Sequence, residues 1–143
     1  MFNKIKEAFF GKPKPPKIQN LTDPALGRLM LNDEVDWWEV KVQKDGETIG
    51  FGIGGQQTPD PALIRHAVDI LNDYSGFKAM VADFLKAETV HFKGYEEEIG
   101  QLTIDDVCLC WPERPNDGMI YFNGPDDCRV QQAEGSYRDL RTN

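Results

Sequence analysis

Two groups of carboxylates are the residues of this chain best suited to acid–base chemistry or metal binding. The first group is the run Glu96, Glu97 and Glu98, with Asp105 and Asp106 shortly after it; the second is Glu34 and Asp36. Neither has the D-x-D-x-D-G arrangement of a calcium loop, and spacing along a sequence does not define a glycosidase pair. The simplest interpretation is a solvated acidic face. The more specific one is a surface that meets lysines and arginines of a partner protein.

Histidines, cysteines and glycines give weaker signals. His66 and His91 lack the H-x-x-x-H or H-E-x-x-H spacing of a zinc site, and three cysteines are an odd number without zinc-ligand spacing. Free thiols in a reducing compartment follow, so we expect a cytoplasmic protein. The pattern Gly50-x-Gly52-x-Gly54-Gly55 resembles a dinucleotide loop, but Gln56 to Asp60 separate it from the next helix. We therefore predict no cofactor, no metal ion and no catalytic residues, and we lean away from an enzyme.

The stretch that can be assigned in most detail is a β-hairpin around Asp45-Gly46, a dipeptide typical of tight two-residue turns. Counting outward from this turn places apolar pairs on one face: Val42–Ile49, Val40–Phe51 and Trp38–Ile53. The other face then carries Lys41–Gly50, Glu39–Gly52 and Trp37–Gly54, so three glycines form a groove across which an indole can lie. Trp37 has two interpretations. It is either an exposed interface anchor or a side chain that covers Gly54 beneath a helix.

The remaining elements follow from periodicity and turn residues. A first strand is predicted over Gly27 to Leu31. Asp60-Pro61 predicts a helix start, Ser75-Gly76 a break, and Phe77 to Leu85 a second amphipathic helix. We expect residues 94–106 to be irregular. Further strands are predicted over Val107 to Trp111, Met119 to Asn123, and Cys128 to Gln132. The pattern indicates an α+β fold, in which two helices between an N-terminal hairpin region and a C-terminal meander cover an antiparallel sheet.

Length and charge limit the domain organisation and the partner. The chain has 143 residues with 40% hydrophobic content, which suits one domain. We predict a basic N-terminal helix and Pro-rich linker over 1–17, the α+β domain over 18–132 and a flexible tail over 133–143. Sixteen Lys and Arg against 24 Asp and Glu give a net charge of −8. Residues 1–17 hold five lysines and one glutamate, which leaves the rest of the chain at −12.

This charge argues against nucleic acid as the main partner, because a polyanionic backbone is bound by clustered lysines and arginines. The N-terminal segment has no uninterrupted apolar run, and one short basic helix is a weak anchor, so we expect no stable membrane contact through residues 1–17. The acidic body instead favours a basic protein partner.

Three stretches together resemble the opening of an uncharacterised family of bacterial domains, a domain of unknown function. They are Asp23-Pro-Ala-Leu-Gly-Arg-Leu-Met-Leu, Asp36-Trp-Trp-Glu-Val and the Asp45-Gly46 turn, within residues 18–55. Members of that family often occur near polymorphic toxin genes, and some are suspected immunity proteins. The resemblance implies an intracellular bacterial protein with toxin neutralisation as a candidate role.

The leading hypothesis is a non-enzymatic acidic protein-binding domain, of the immunity type, that inhibits a basic toxin. Its predicted partner-binding residues are Glu34, Asp36, Trp37, Glu96, Glu97, Glu98, Asp105 and Asp106. The alternative is a small enzyme or ligand-binding domain with a pocket beside Trp37 and the Gly50 to Gly55 strand. A third possibility is an assembly module that docks through its N-terminal helix. The oligomeric state is not predicted.

Overall fold

A computed structural model of the chain describes residues 18–115, residues 117–124 and the backbone of residues 132–136. The predicted helix and linker over 1–17, residues 128–131 of the last predicted strand and residues 137–143 lie outside this range. None of the described helices is long and apolar enough to cross a membrane.

Seven strands of the described chain form one sheet, in which the strands lie side by side in chain order. Their bounds are β1 Asn20–Asp23, β2 Gly27–Asn32, β3 Trp37–Lys44, β4 Glu47–Ile53, β5 Thr103–Leu109, β6 Met119–Asn123 and β7 Gln132–Ser136. The α+β class predicted from the sequence is confirmed. β1 is an additional strand, and its pairing with β2 extends the sheet before the hairpin.

The β3–β4 hairpin has the register counted from its turn. Asp45 and Gly46 both have positive φ, 52° and 79°, which is the backbone of a type I′ turn. The observed pairs include Trp38–Ile53, Val40–Phe51 and Val42–Ile49 on one face, and Glu39–Gly52 and Lys41–Gly50 on the other. Trp37 pairs with Asn32 of β2, whereas β4 ends at Ile53 before Gly54 can face it.

Three helices in the described chain lie between β4 and β5: α1 Pro61–Asn72, α2 Tyr74–Glu88 and α3 Glu96–Gly100. Asp60 caps α1, because its carboxylate accepts hydrogen bonds from the backbone N–H of Ala62 and Leu63. The break before α2 falls at Asp73 and not at Ser75-Gly76, which lie in the first turn of α2.

β4 and β5 are parallel, with Gly50 opposite Asp106 and Gly52 opposite Cys108. The expectation of a wholly antiparallel sheet is therefore wrong at this pair, and the sheet is mostly antiparallel. The reason is the helical crossover, which returns the chain to the edge of the sheet running in the same direction as β4.

Two predicted boundaries also change. Residues 94–106 are not irregular throughout, since they contain α3 and the start of β5. The sequence does not indicate this strand, because a bulge between Ile104 and Asp106 interrupts its alternation of apolar and polar residues. The last strand ends later than the predicted Gln132, because β7 reaches Ser136 by backbone pairing with β6.

The core lies between the helices and one face of the sheet. It contains the strand residues Leu29, Trp38, Val40, Ile49, Phe51, Ile53, Val107, Leu109, Ile120 and Phe122, packed with Leu63, Ala67, Ile70, Phe77, Val81 and Phe84 from α1 and α2. Trp38 is fully buried, and its Nε1 donates a hydrogen bond of 3.1 Å to the carbonyl of Ile18. The helices thus cover the face that the hairpin pattern marks as apolar.

Candidate functional site

The opposite side of the sheet, which we call the open face, carries the alternate residues of the same strands. These are Met30 on β2, Trp37, Glu39 and Lys41 on β3, Gly50 and Gly52 on β4, Asp106 and Cys108 on β5, and Met119 and Tyr121 on β6. Because side chains alternate along a strand, these residues point away from the core that Trp38, Phe51 and Val107 form.

A concave site of about 320 Å³ lies on this face, and we call it the open-face groove. It is lined by Trp37, Glu39, Phe51, Gly52, Asp105, Asp106, Cys108, Tyr121, Phe122 and Asn123. The groove therefore has an aromatic wall on β3, carboxylates on β3 and β5, and a glycine floor on β4.

The glycine floor exists because neighbouring side chains occupy the space where a Cβ would be. At Gly52, a Cβ would lie 3.2 Å from Cε2 of Trp37 and 3.3 Å from Sγ of Cys108. At Gly50, it would collide with the Asp106 carboxylate and lie 2.8 Å from Nζ of Lys41. Trp37 thus covers Gly52, whereas β4 ends before Gly54 can pair with Trp37.

Trp37 is held in place by a carboxylate on its own strand. Its Nε1 donates a hydrogen bond of 3.1 Å to Oε1 of Glu39, which also accepts one of 3.0 Å from Nδ2 of Asn32. The indole is half-buried on the open face, which the helices do not cover. Trp37 is therefore an ordered part of the groove wall. The interpretation that it covers Gly54 beneath a helix is wrong, because it packs over Gly52 on the face that the helices leave uncovered. Its role as an interface anchor stays a prediction.

Asp105 and Asp106 lie side by side at the bulge in β5. Burial raises the pKa of Asp106, and the neighbouring Asp105 raises it further, while the Lys41 ammonium acts in the opposite direction. Nζ of Lys41 lies 3.3 Å from Oδ1 of Asp106, with the two side chains 62% and 35% exposed. The Lys41 ammonium thus pairs with Asp106, and Asp105 adds a second carboxyl group beside this pair.

Cys108 lines the groove, and its thiol is unreactive. Its thiol is buried, and burial together with the nearby Cys110, Asp106 and Glu39 raises its pKa to about 12. At neutral pH it therefore stays protonated and is a poor nucleophile. Cys110 is also a free thiol, and burial raises its pKa. The free-thiol interpretation is confirmed for both; Cys128 lies outside the described residues.

The structure divides the predicted site residues into three places. Trp37, Asp105 and Asp106 line the open-face groove. Glu34 and Asp36 are exposed in the β2–β3 turn, next to Trp37 in the chain. Glu96, Glu97 and Glu98 form α3, where Glu96 borders a second cavity of about 380 Å³ beside α2. The acidic run on α3 is therefore separate from Asp105 and Asp106.

Five groove residues were neither predicted as site residues nor part of the Gly50 to Gly55 strand: Glu39, Cys108, Tyr121, Phe122 and Asn123. Glu39 lies two residues after Trp37 on β3 and therefore on the same open face, so the hairpin register could have identified it as a site residue. Cys108, Tyr121 and Asn123 join the groove through the pairing of β5 and β6 next to β4, which no local pattern reveals.

Within the described residues, no group of three or more His, Cys, Asp and Glu side chains is arranged to hold a metal ion. A scan against family models and searches of curated proteins and of solved structures give no match to this chain.

Proposed function

We propose that this chain is a non-enzymatic, acidic protein-binding domain that recognises a basic partner protein through the open face of its sheet. The observation that carries the proposal is the open-face groove, which combines the Trp37 indole with the carboxylates of Asp105 and Asp106. In this arrangement the helices, inserted between an N-terminal hairpin region and a C-terminal meander, support the sheet from behind.

Net charge supports a basic partner. The chain carries −8 overall, and the part after residue 17 carries −12. Opposite charge on the partner would speed encounter and penalise wrong partners, whereas a polyanionic nucleic acid would be repelled. A cytoplasmic location agrees with the odd number of cysteines.

The composition of the open face also supports protein binding. Tryptophan, tyrosine and methionine are enriched in protein interfaces. Met30 is 47% exposed and lies opposite Glu39, and Trp37, Met119 and Tyr121 continue this face across the sheet. Such a mixture of large apolar groups and carboxylates suits a partner with exposed lysines and arginines.

An immunity-type inhibitor is the specific form of this function that we propose, on the basis of the resemblance of residues 18–55 to a domain family found near polymorphic toxin genes. The partner would then be a basic toxin, such as a nuclease, whose cationic substrate-binding surface the acidic domain covers. Stable contact through residues 1–17 with a membrane is not part of the proposal.

The test begins with affinity capture of the tagged protein from its native cell lysate at low salt, followed by a high-salt wash and mass spectrometry. We expect one basic protein that the wash releases, because salt screens exposed charges. Its affinity is then measured with the purified protein and with two matched double variants.

The two variants remove the same number of charges from different places. Asp105→Asn/Asp106→Asn alters the open-face groove, and Glu96→Gln/Glu97→Gln alters α3. We expect the first to weaken binding by about 2 kcal/mol or more, which is roughly 30-fold, and the second to change the affinity only slightly. Equal binding by the wild type and the Asp105→Asn/Asp106→Asn variant, with both folded by circular dichroism, would overturn the proposal.

The same groove favours one second candidate, a small enzyme or ligand-binding domain with its pocket beside Trp37 and the Gly50 to Gly55 strand. Its volume of about 320 Å³ lies at the lower end of the range of roughly 300 to 1,000 Å³ for small-molecule sites. A thermal-shift screen of metabolites would test it. A compound that stabilises the wild type but not a Trp37→Ala variant would favour this candidate over protein binding.

A further inference from the structure

We propose that the open-face groove receives an arginine side chain of the partner, and that Lys41 occupies part of this site until the arginine displaces it from Asp106. This inference rests on the proposed function and names the chemical group that the groove recognises. It also assigns Lys41 the role of an internal competitor.

The first step of the argument is the position of Lys41. Its ammonium lies 3.3 Å from Oδ1 of Asp106, and both groups lie over Gly50, whose missing side chain leaves the space for them. The groove carboxylate is therefore already bound by a cation in the free protein. The chain itself shows which kind of group this position accepts.

The second step is that this internal ion pair is weak. The Lys41 side chain is 62% exposed, and an exposed lysine–carboxylate pair contributes little because water and salt screen it and the long side chain loses rotamer freedom. Lys41 can therefore swing into solvent at little cost. An incoming cation that makes more contacts than Lys41 would replace it.

The third step distinguishes arginine from lysine. The bulge places the carboxyl groups of Asp105 and Asp106 side by side, and Asp105 makes Asp106 harder to ionise. A guanidinium group is planar and presents several N–H donors at once, so it can bind adjacent carboxylate oxygens and stack on an indole. Trp37 forms the wall of the same groove and is fixed by Glu39. An ammonium group binds the paired carboxyl groups and stacks on the Trp37 indole less well than a guanidinium group does.

The test uses three small probes in place of the unidentified partner: an acetylated and amidated Gly-Gly-Arg-Gly-Gly peptide, the same peptide with lysine, and the same peptide with citrulline. Citrulline keeps the shape of arginine without the charge. Each is titrated into ¹⁵N-labelled full-length protein, and the indole N–H resonances are followed. Trp37→Phe and Trp38→Phe variants assign these signals.

We expect the arginine peptide to shift the Trp37 indole signal in a saturable way, the lysine peptide to bind more weakly and the citrulline peptide to leave it unchanged. Asp106→Asn should abolish saturation. Lys41→Met should bind the arginine peptide about threefold more tightly, since the competing ion pair is gone. Lys44→Met removes the same charge from the same strand and is the matched control for a general change in net charge; it should leave this affinity close to that of the wild type.

Three results would overturn this inference. They are the absence of a Trp37 shift with the arginine peptide, equal effects of the arginine and citrulline peptides, and a Lys41→Met variant that binds no more tightly than Lys44→Met. If partner binding still falls on Asp105→Asn/Asp106→Asn, only the arginine assignment fails. If partner binding survives that change, the proposed function itself fails.

Discussion

The close packing around Gly54 leads to a graded prediction for three alternating glycines, Gly50 and Gly52 in β4 and Gly54 directly after it. A Cβ on Gly54 would press against the carbonyl of Cys110, with its carbon 2.9 Å and its Cα 3.0 Å away. Gly54 cannot move aside freely, because its N–H donates a bond of 2.8 Å to Leu109 and its carbonyl accepts one of 2.9 Å from Asp60. A side chain here must therefore displace backbone.

The expected cost of Gly54→Ala follows from these contacts. Overpacking a buried site costs about 1 to 3 kcal/mol, and weakening one backbone hydrogen bond adds about 1 kcal/mol. We expect a loss of roughly 2 to 4 kcal/mol, a large part of the stability of about 5 to 15 kcal/mol that is typical of a small domain.

Gly50→Ala should behave differently, because the groups in its way are the ends of the Lys41 and Asp106 side chains. Losing that exposed ion pair costs up to about 1 kcal/mol. Alanine also lowers the conformational entropy of the unfolded chain relative to glycine, which stabilises the folded state by a similar amount. The net change is expected to be close to zero. Gly52→Ala should lie between the two, since Trp37 and Cys108 are already 3.2 to 3.3 Å from the added atom.

Equilibrium urea denaturation followed by tryptophan fluorescence measures this series, and an unchanged m-value shows that the midpoints are comparable. The expected order of the free energy of unfolding is Gly50→Ala, then Gly52→Ala, then Gly54→Ala as the least stable. A Gly54→Ala protein as stable as Gly50→Ala would refute the reasoning, because it would mean that the backbone around Cys110 yields easily.

Three further predictions concern groups outside this series. Asp60→Ala should destabilise the domain by about 0.5 to 2 kcal/mol in thermal or urea unfolding, whereas Asp73→Ala should change it little, because only Asp60 makes side-chain cap hydrogen bonds; equal losses would contradict this. Trp38→Phe should cost about 1 to 3 kcal/mol in the same measurement, through the lost bond to Ile18 and the space left in the core, and Trp37→Phe should cost less. In a Cys128→Ser background, Cys108 should react with a thiol reagent at pH 8 more slowly than Cys110, because Cys108 is buried with a pKa of about 12. Since the unfolded thiol ionises near pH 9 and the folded one does not, the free energy of unfolding should fall as pH rises above about 9, and Cys108→Ala should reduce that fall.

The elements that sequence analysis predicts well are those that depend on neighbouring residues. The β3–β4 register follows from one turn and the alternation of Val40, Val42, Ile49 and Phe51. The start of α1 follows from Asp60 and the proline after it. In both cases the residues that specify the structure lie within a few positions of each other, so tertiary contacts do not need to be known.

The parallel pairing of β4 and β5 is different, because a strand with the same alternation can pair in either direction. About fifty residues of crossover separate the two strands, and local patterns do not encode where a chain returns. The bulge at Asp105 also interrupts the alternation of apolar and polar residues, so the sequence pattern does not indicate the first half of β5. β7 lacks alternating apolar residues, so only its backbone pairing with β6 makes it a strand.

The candidate site shows the same division. Trp37, Asp105 and Asp106 could be selected by residue type, and all three line the groove. That Trp37 faces Cys108 across Gly52, with Asp106 opposite Gly50 on the same face, could not be predicted, since it requires the β4–β5 pair. Proximity in the sequence groups Glu96 with Asp105, but the two residues border different cavities.

The architecture separates stability from recognition. The residues proposed to bind the partner lie on the face opposite the core, and the side chains of Lys41 and Asp106 remain partly exposed. Substituting exposed groups usually changes stability by less than about 0.5 kcal/mol, whereas the same groups can dominate an interface. The glycine floor couples the two properties, since Gly50 and Gly52 position Asp106 and Trp37. Substitutions at Gly50 and Gly52 should therefore change the affinity for the partner more than the free energy of unfolding. Substitutions at Gly54 should change the free energy of unfolding more than the affinity.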